Sequence, residues 1–522
     1  MTTANGARLL LDTLVNNGVD VCFANPGTSE MHFVAALDEV PAMRGILALF
    51  EGVAAGAADG YGRVADTPAA VLLHLGPGQG NALANLHNAR RARTPVISIV
   101  GEHAIDHVSL DAPLTSDIQG VAATFSTEVI TSMSSAEVGR DAASTIDAAV
   151  GPPSGVATLV LPADVSWGDA QGAALGKCTS PTRSLPAAST IEAAVASLRA
   201  AERPILLVGG RAARDAALRL AGSVAASTGA ELMVETFPAI STRGAGTPIV
   251  SRLSYLAEFA AMQLEGCDLL VTLDAQTPVS FFAYPGMDSK LVASGTNVVA
   301  LAGPEHDATA TLQAMVDLLG ATDPAPRNEA APVADPTGAL NGASFAQAIA
   351  ATLTEGTVVV DESNTGGIHL ASATAGVPAH DWLSLTGGAI GYGLPAAVGA
   401  AIGRPDSKIL CLESDGSAMY TISALWTMAR EQLDVTTVIL SNRSYAILNL
   451  ELARVGATVE GSAAASMLDL SSPELDFVAL ARGMGVPGVR VETAEELTTA
   501  LRASLATPGP SLIEAMLPPG LS

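Results

Sequence analysis

Short, nearly unbroken apolar runs alternate with small-residue helical stretches along most of the chain, and glycine-bearing turns separate them. In the first third, residues 19–24, 46–50, 69–74 and 96–100 are runs of this kind, and residues 158–163 close the block. Their length and composition predict strands buried on both faces, the pattern of parallel sheets with helices above and below. Helical spacing falls between them, over residues 7–17, 31–37 and from the end of the 75–81 glycine turn through Arg93. Residues 204–210, 269–273 and 298–301 repeat the strand signal in the middle. Residues 357–360, 409–412 and 435–440 repeat it in the last third, with helices through Ile402 and over 421–430. Two polar stretches, 169–189 and the proline-rich 321–341, read as linkers. The pattern therefore predicts an α/β protein of three doubly wound parallel-sheet domains, at 1–170, 190–320 and 342–522. The outer two share one layout, which suggests an old duplication.

Composition sharpens this picture. Of 522 residues, 49% are apolar and only 15% charged, and the 50 glycines suit tightly packed layers. A formal charge of −26 argues against nucleic acid or an anionic membrane surface as partner. Cys22, Cys178, Cys267 and Cys411 lie far apart with no CxxC pair, as expected of core thiols in a reducing compartment. No apolar run reaches the roughly 20 residues that span a membrane, and the N-terminus has no basic segment ahead of a long apolar one. The expected location is cytoplasmic.

Candidate chemistry gathers where strands end. Asp415 lies in the turn Ser414-Asp415-Gly416-Ser417 after one strand, and Asn442 ends the next. Parallel strands joined by a helix put their C-terminal ends side by side, so a carboxylate, an amide oxygen and a nearby carbonyl can share a hard-oxygen site suited to Mg²⁺. The helix N-terminus at Gly416-Ser417 offers free N–H groups to phosphate. Glu51 follows another strand and opens residues 52–63, a helix of alanines and glycines that must pack very closely against something. The position suits a catalytic acid, and equally an acid favoured by the helix dipole. His74 ends the 69–74 strand just before the glycine turn, where parallel sheets commonly place active sites.

Two of these stretches resemble the signatures of thiamine-diphosphate-dependent 2-oxo acid decarboxylases and acetolactate synthases. One is Ser414-Asp415-Gly416 followed by Asn442, with Ser414 in place of the first glycine. The other is Glu51-Gly52 through Gly60-Tyr61-Gly62-Arg63. The resemblance implies a pyrimidine-binding first domain, a central domain and a diphosphate-binding last domain, with thiamine diphosphate and Mg²⁺ as cofactors and a 2-oxo acid as substrate. It assigns Asp415, Asn442 and the Ser444 carbonyl to the metal, and Asn364, Thr365, Gly416, Ser417 and Tyr445 to the diphosphate. Glu51 would contact ring nitrogen N1′, the Gly388 carbonyl the 4′-amino group, and Ile390 would be the apolar wedge beneath the cofactor. Asn25-Pro26-Gly27-Thr28, the 73–81 run and Ser423-Ala424-Leu425-Trp426-Thr427 resemble the benzoylformate decarboxylase pattern in particular. By that pattern His74 is a proton relay and Thr28 a contact for the substrate carboxylate. Leu448 stands where pyruvate decarboxylases place a glutamate, which fits an apolar pocket.

The second active-site histidine of that pattern is expected near 278–286, where the chain reads PVSFFAYPG. Acetolactate synthase large subunits are the alternative resemblance, and a cofactor-fold protein without turnover is a third reading. Acetolactate synthases carry FAD in the central domain, but the turn after residues 204–208 here is not a dinucleotide fingerprint and gives no support for FAD. The resemblance also implies a homodimer or homotetramer with sites between subunits.

Overall fold

The computed structural model describes residues 4–179, 182–321, 325–457 and 463–520. Its chain forms two compact units. One contains Met1–Pro181, Val333–Thr374 and Leu385–Ser522, and the other Thr182–Pro332 with Ala375–Ser384. The first and last thirds of the sequence thus share one unit.

In that unit the first sheet has strands β1 (Val21–Ala24), β2 (Arg44–Leu47), β3 (Ala69–Leu73), β4 (Val96–Glu102), β5 (Glu128–Thr131) and β6 (Val156–Pro162). They lie in the order β2-β1-β3-β4-β6-β5 with parallel pairings throughout. Strands β3 and β6 are buried along their full length, as their dense apolar and β-branched runs require. The chain leaves β1 for β2 on one side and returns to β3 on the other. The C-terminal ends of β1 and β3 therefore flank a switch point, the usual place for a ligand in such sheets.

The central unit contains β7 (Pro204–Val208), β8 (Glu231–Val234), β9 (Ile240–Arg243), β10 (Ser251–Arg252), β11 (Leu269–Leu273) and β12 (Asn297–Ala302). Five of them form a parallel sheet in the order β10-β8-β7-β11-β12. Alternate residues of β7 enter two different cores, Leu206 and Val208 on one face and Ile205 and Leu207 on the other. This is the period-two burial of a sheet covered on both sides.

The last third supplies β13 (Val358–Glu362), β14 (His380–Ser384), β15 (Ile409–Ser414), β16 (Val435–Ser441), β17 (Gly488–Val491) and β18 (Ser511–Met516). Within the first unit they run β17-β18-β16-β15-β13, all parallel. Strand β14 belongs to the central unit, where it pairs antiparallel with β9.

The small-residue helix, Glu51–Ala65, is buried at every position up to Val64. Its close partner is the Gly393–Gly403 helix. A side chain at Gly60 would sit 2.1 Å from the Ala396 carbonyl oxygen, and one at Gly399 would sit 1.9 Å from that of Ala57. Backbone meets backbone there, which only glycine permits. The fused first unit is built on this contact between its first and last thirds.

Three local expectations need correction. The 75–81 segment is no turn: a helix runs from Leu75 to Ala92, entered through a left-handed Leu75 at φ 51°. The 421–430 helix is two helices, Asp415–Thr421 and Ala424–Arg430, so helical structure begins at Asp415 itself. Strands β5, β8, β9, β10, β14, β17 and β18 add to those the apolar runs predicted. Among the described residues no helix is long and apolar enough to cross a membrane.

Candidate active site

Two groups of polar side chains form at the C-terminal ends of the first unit's strands. The first surrounds Gly78. Glu51 is the opening residue of its helix, 8% exposed, and its Oε2 accepts a hydrogen bond from Asn81 Nδ2 at 3.0 Å. A side chain at Gly78 would lie 3.2 Å from Glu51 Oε1 and 3.4 Å from His74 Cβ, so the two residues flank Gly78. His74 caps the Leu75–Ala92 helix, with its Nδ1 2.9 Å from Glu30 Oε2 and 3.3 Å from Ser29 Oγ. Glu30 is buried and its Oε2 also accepts the Gly27 N–H at 2.8 Å. The imidazole rests on Gly27, where any side chain would strike the ring. The turn after β1 is thus folded around His74, with an acid fixing the Nδ1 side of the ring. Thr28 opens the short turn Thr28–Glu30 and is exposed.

The second group surrounds the Asp415 turn. Asp415 is 2% exposed; its Oδ1 accepts the Gly416 N–H at 2.8 Å and its Oδ2 the Arg443 N–H at 2.6 Å. Burial raises the carboxyl pKa, opposed by backbone N–H groups of Arg443, Gly416 and Asn442. Asn442 Oδ1 accepts the Ser444 N–H at 3.0 Å. Asn364 Nδ2 donates to Ser414 Oγ at 2.5 Å and to Ser417 Oγ at 3.2 Å. Asn364 itself is left-handed at φ 47°, and Thr365 follows half-buried in the same turn. Gly416 and Ser417 are buried, and the Tyr445 ring lies where a side chain on Gly416 would be.

Ser414 has φ −77° and ψ 148°, an extended conformation open to any residue. Its departure from glycine therefore carries no backbone penalty. Its hydroxyl donates to the Glu362 carbonyl at 2.7 Å.

The turn that includes Gly388 and Ile390 is tied to both groups. Asn85 Nδ2 donates to the Gly52 carbonyl at 2.9 Å and to the Gly391 carbonyl at 3.2 Å. Asn88 Nδ2 donates to the Ala389 carbonyl at 2.8 Å, and Thr421 Oγ1 to the Gly391 carbonyl at 3.0 Å. Gly388 is exposed at φ 73°, and Ile390 is half-buried.

Sequence reasoning missed Glu30, Asn81, Asn85, Asn88 and Glu362. The one available signal was Glu362's place as an acid ending the apolar run Val358-Val359-Val360.

The donor set suits the group the sequence implies. Beyond the N–H groups they accept, the two Asp415 oxygens and the Asn442 oxygen have lone pairs to offer, and hard neutral and anionic oxygens are what Mg²⁺ takes. In the central unit, by contrast, the backbone after β7 is already occupied. Gly210 N–H donates to Glu235 Oε1 at 2.9 Å and Arg211 N–H to Asp274 Oδ2 at 2.8 Å.

The sequences on both sides of this site match known proteins. Residues 4–126 match the thiamine pyrophosphate enzyme N-terminal TPP binding domain, and residues 367–515 the C-terminal TPP binding domain. A Mycobacterium tuberculosis protein titled "Putative acetolactate synthase large subunit IlvX" is 56% identical over 98% of this chain and 99% of its own. Benzoylformate decarboxylase of Pseudomonas aeruginosa is 28% identical over 96% of this chain and 97% of its own. The solved Rhodococcus jostii thiamine diphosphate-dependent 4-hydroxybenzoylformate decarboxylase superposes with a TM-score of 0.84 at 25% identity, covering 99% of this chain and 100% of that one. With both binding domains matched and a full-length relative above half identity, the chain belongs to the thiamine pyrophosphate-dependent enzymes of the decarboxylase and acetolactate synthase family.

Proposed function

We propose that the protein holds thiamine diphosphate with Mg²⁺ and decarboxylates a 2-oxo acid without oxidation. The observation that carries this reading is the placement of Glu51, held by Asn81, and His74, held by Glu30, on either side of Gly78 at the strands' C-terminal ends. Such a pair supplies an acid that can share a proton with a ring nitrogen and an imidazole that can pass one to or from substrate. Asp415, Asn442 and the Ser444 carbonyl would hold the metal. Asn364, Thr365, Gly416, Ser417 and the backbone near Tyr445 would hold the diphosphate, with Ile390 and Gly388 against the rings. The cofactor, when bound, supplies a nucleophilic thiazolium carbon and an electron sink for the departing carbon dioxide. Glu51 keeps a proton at the pyrimidine N1′, and Asn81 fixes the carboxyl that does so. With His74 Nδ1 committed to Glu30, Nε2 is the nitrogen that exchanges a proton with substrate. Thr28, exposed beside it, is the proposed contact for the substrate carboxylate.

The relative at 56% identity favours a second reading, in which the decarboxylated fragment is joined to another 2-oxo acid, as its acetolactate synthase title suggests. No flavin is part of either reading. The N–H groups of Gly210 and Arg211 already face carboxylates, a poor setting for a dinucleotide diphosphate. Reconstituted protein offered pyruvate, longer aliphatic 2-oxo acids and arylglyoxylates separates the two by product. Aldehyde and carbon dioxide support decarboxylation, an acetohydroxy acid supports ligation, and no product from any of them removes both. The same family reading carries an assembly of two or four copies with sites between them. Light scattering that finds an active monomer would refute that.

A further inference from the structure

Glu362 ends β13 and is 2% exposed, yet it is used by neither group described above as a ligand. Its carboxylate instead collects consecutive backbone donors from the cofactor-facing turn. Oε1 accepts the Gly391 N–H at 2.8 Å, and Oε2 accepts those of Tyr392 at 2.7 Å and Gly393 at 2.6 Å. The same residue's carbonyl accepts Ser414 Oγ at 2.7 Å, and Ser414 Oγ in turn receives Asn364 Nδ2. One residue therefore ties together the turn after Ile390, the turn that carries Asp415, and the Asn364 turn. Gly393 is pressed against a second buried acid, Glu413, whose carboxyl a side chain there would strike. The turn is thereby confined from its other side as well.

We infer that Glu362 is a positioning residue for the cofactor site, setting the 388–393 turn and the Asp415 turn in register with one another. This rests on the cofactor reading above. It requires a carboxylate rather than a polar group in general, because all three donors face it and an amide would turn an N–H toward one of them. A residue that merely stabilised the fold would change melting temperature and leave the site's affinity alone.

The test uses the full chain as Glu362→Ala and Glu362→Gln beside wild type. Amide hydrogen exchange of the peptide spanning residues 388–394 is read without cofactor, and thiamine diphosphate with Mg²⁺ is then titrated by tryptophan fluorescence. Both variants should expose the 391–393 amides to fast exchange while exchange across the β15–β16 strands stays slow. Cofactor affinity should fall about 10–100-fold, the usual scale for partners of metal-site residues, with glutamine between wild type and alanine. If the alanine variant does not fold, the glutamine variant is read by the same two measures. Unchanged exchange at 391–393, or cofactor affinity within about threefold of wild type in a folded variant, overturns the inference. Wild type that binds no cofactor at all would instead remove the functional reading, and the inference with it.

Discussion

Replacing Glu51 with glutamine separates the chemistry assigned to this side chain from its place at a helix end. Glutamine keeps the volume of a side chain only 8% exposed, and its oxygen can still accept the 3.0 Å bond from Asn81. The packing around Gly78 is unchanged, so the folded state loses little more than one charge near a helix N-terminus, about 0.3–1 kcal/mol. What glutamine cannot do is share a proton with a ring nitrogen. If that is Glu51's role, proton removal at the thiazolium carbon should slow by about 10²–10⁴-fold, or about 3–5 kcal/mol of barrier. The assay is hydrogen–deuterium exchange at that carbon in the bound cofactor, wild type against Glu51→Gln, at matched saturation. Exchange rates that agree within error would show that Glu51 is a helix-end acid. The catalytic reading of the first sheet would then fall.

Three further predictions follow from named contacts. Asp415→Ala should weaken cofactor binding about 100-fold or more in EDTA-stripped buffer with defined Mg²⁺, while circular dichroism shows the fold retained; an unchanged titration contradicts the metal site. Burial pushes the Cys22 thiol up to about 12 and the Cys178 thiol up to about 11, and it raises Cys267 and Cys411 as well. Folded protein at pH 8 should therefore resist alkylation at all four, and rapid labelling of any one would refute this. Glu362 is pushed up to about 6 from 4.5, because desolvation outweighs its three N–H donors. Its protonated form is favoured by folding, so its contribution is fully present below pH 4.5 and is lost as pH rises through about 6, a change of about 2 kcal/mol. The stability of wild type relative to Glu362→Gln, from urea midpoints across pH 4 to 7.5, should fall by that amount. A flat difference would contradict the assignment.

The alternation of strands and helices was legible because fully buried strands leave runs of apolar and β-branched residues, as in Ala69–Leu73 and Val435–Ser441. So was the adjacency of the turns that carry Asp415 and Asn442, which follows from the parallel pairing of the strands before them. The close partner of the Glu51–Ala65 helix was anticipated as a necessity, and its identity came from the structure. Short strands such as Ser251–Arg252 carry no run to read. The placement of residues 375–384 in the central unit rests on β14 pairing with β9, a contact distant in sequence. The start of the Leu75–Ala92 helix was hidden by its glycines and proline, which read locally as a turn. Glu30, Asn81 and Asn85 were invisible for a different reason. Each is an ordinary polar residue whose meaning comes only from what tertiary structure sets against it.

The proposed activity is decarboxylation of a 2-oxo acid by means of thiamine diphosphate. Carbon dioxide release by protein stripped of cofactor and metal, then supplied with each alone and with both, tests it most directly across aliphatic and aryl 2-oxo acids. Release should occur only when thiamine diphosphate and Mg²⁺ are present together, and should be lost in Glu51→Gln at saturating cofactor. Bound cofactor with no carbon dioxide from any substrate, or release that does not depend on the cofactor, would contradict it.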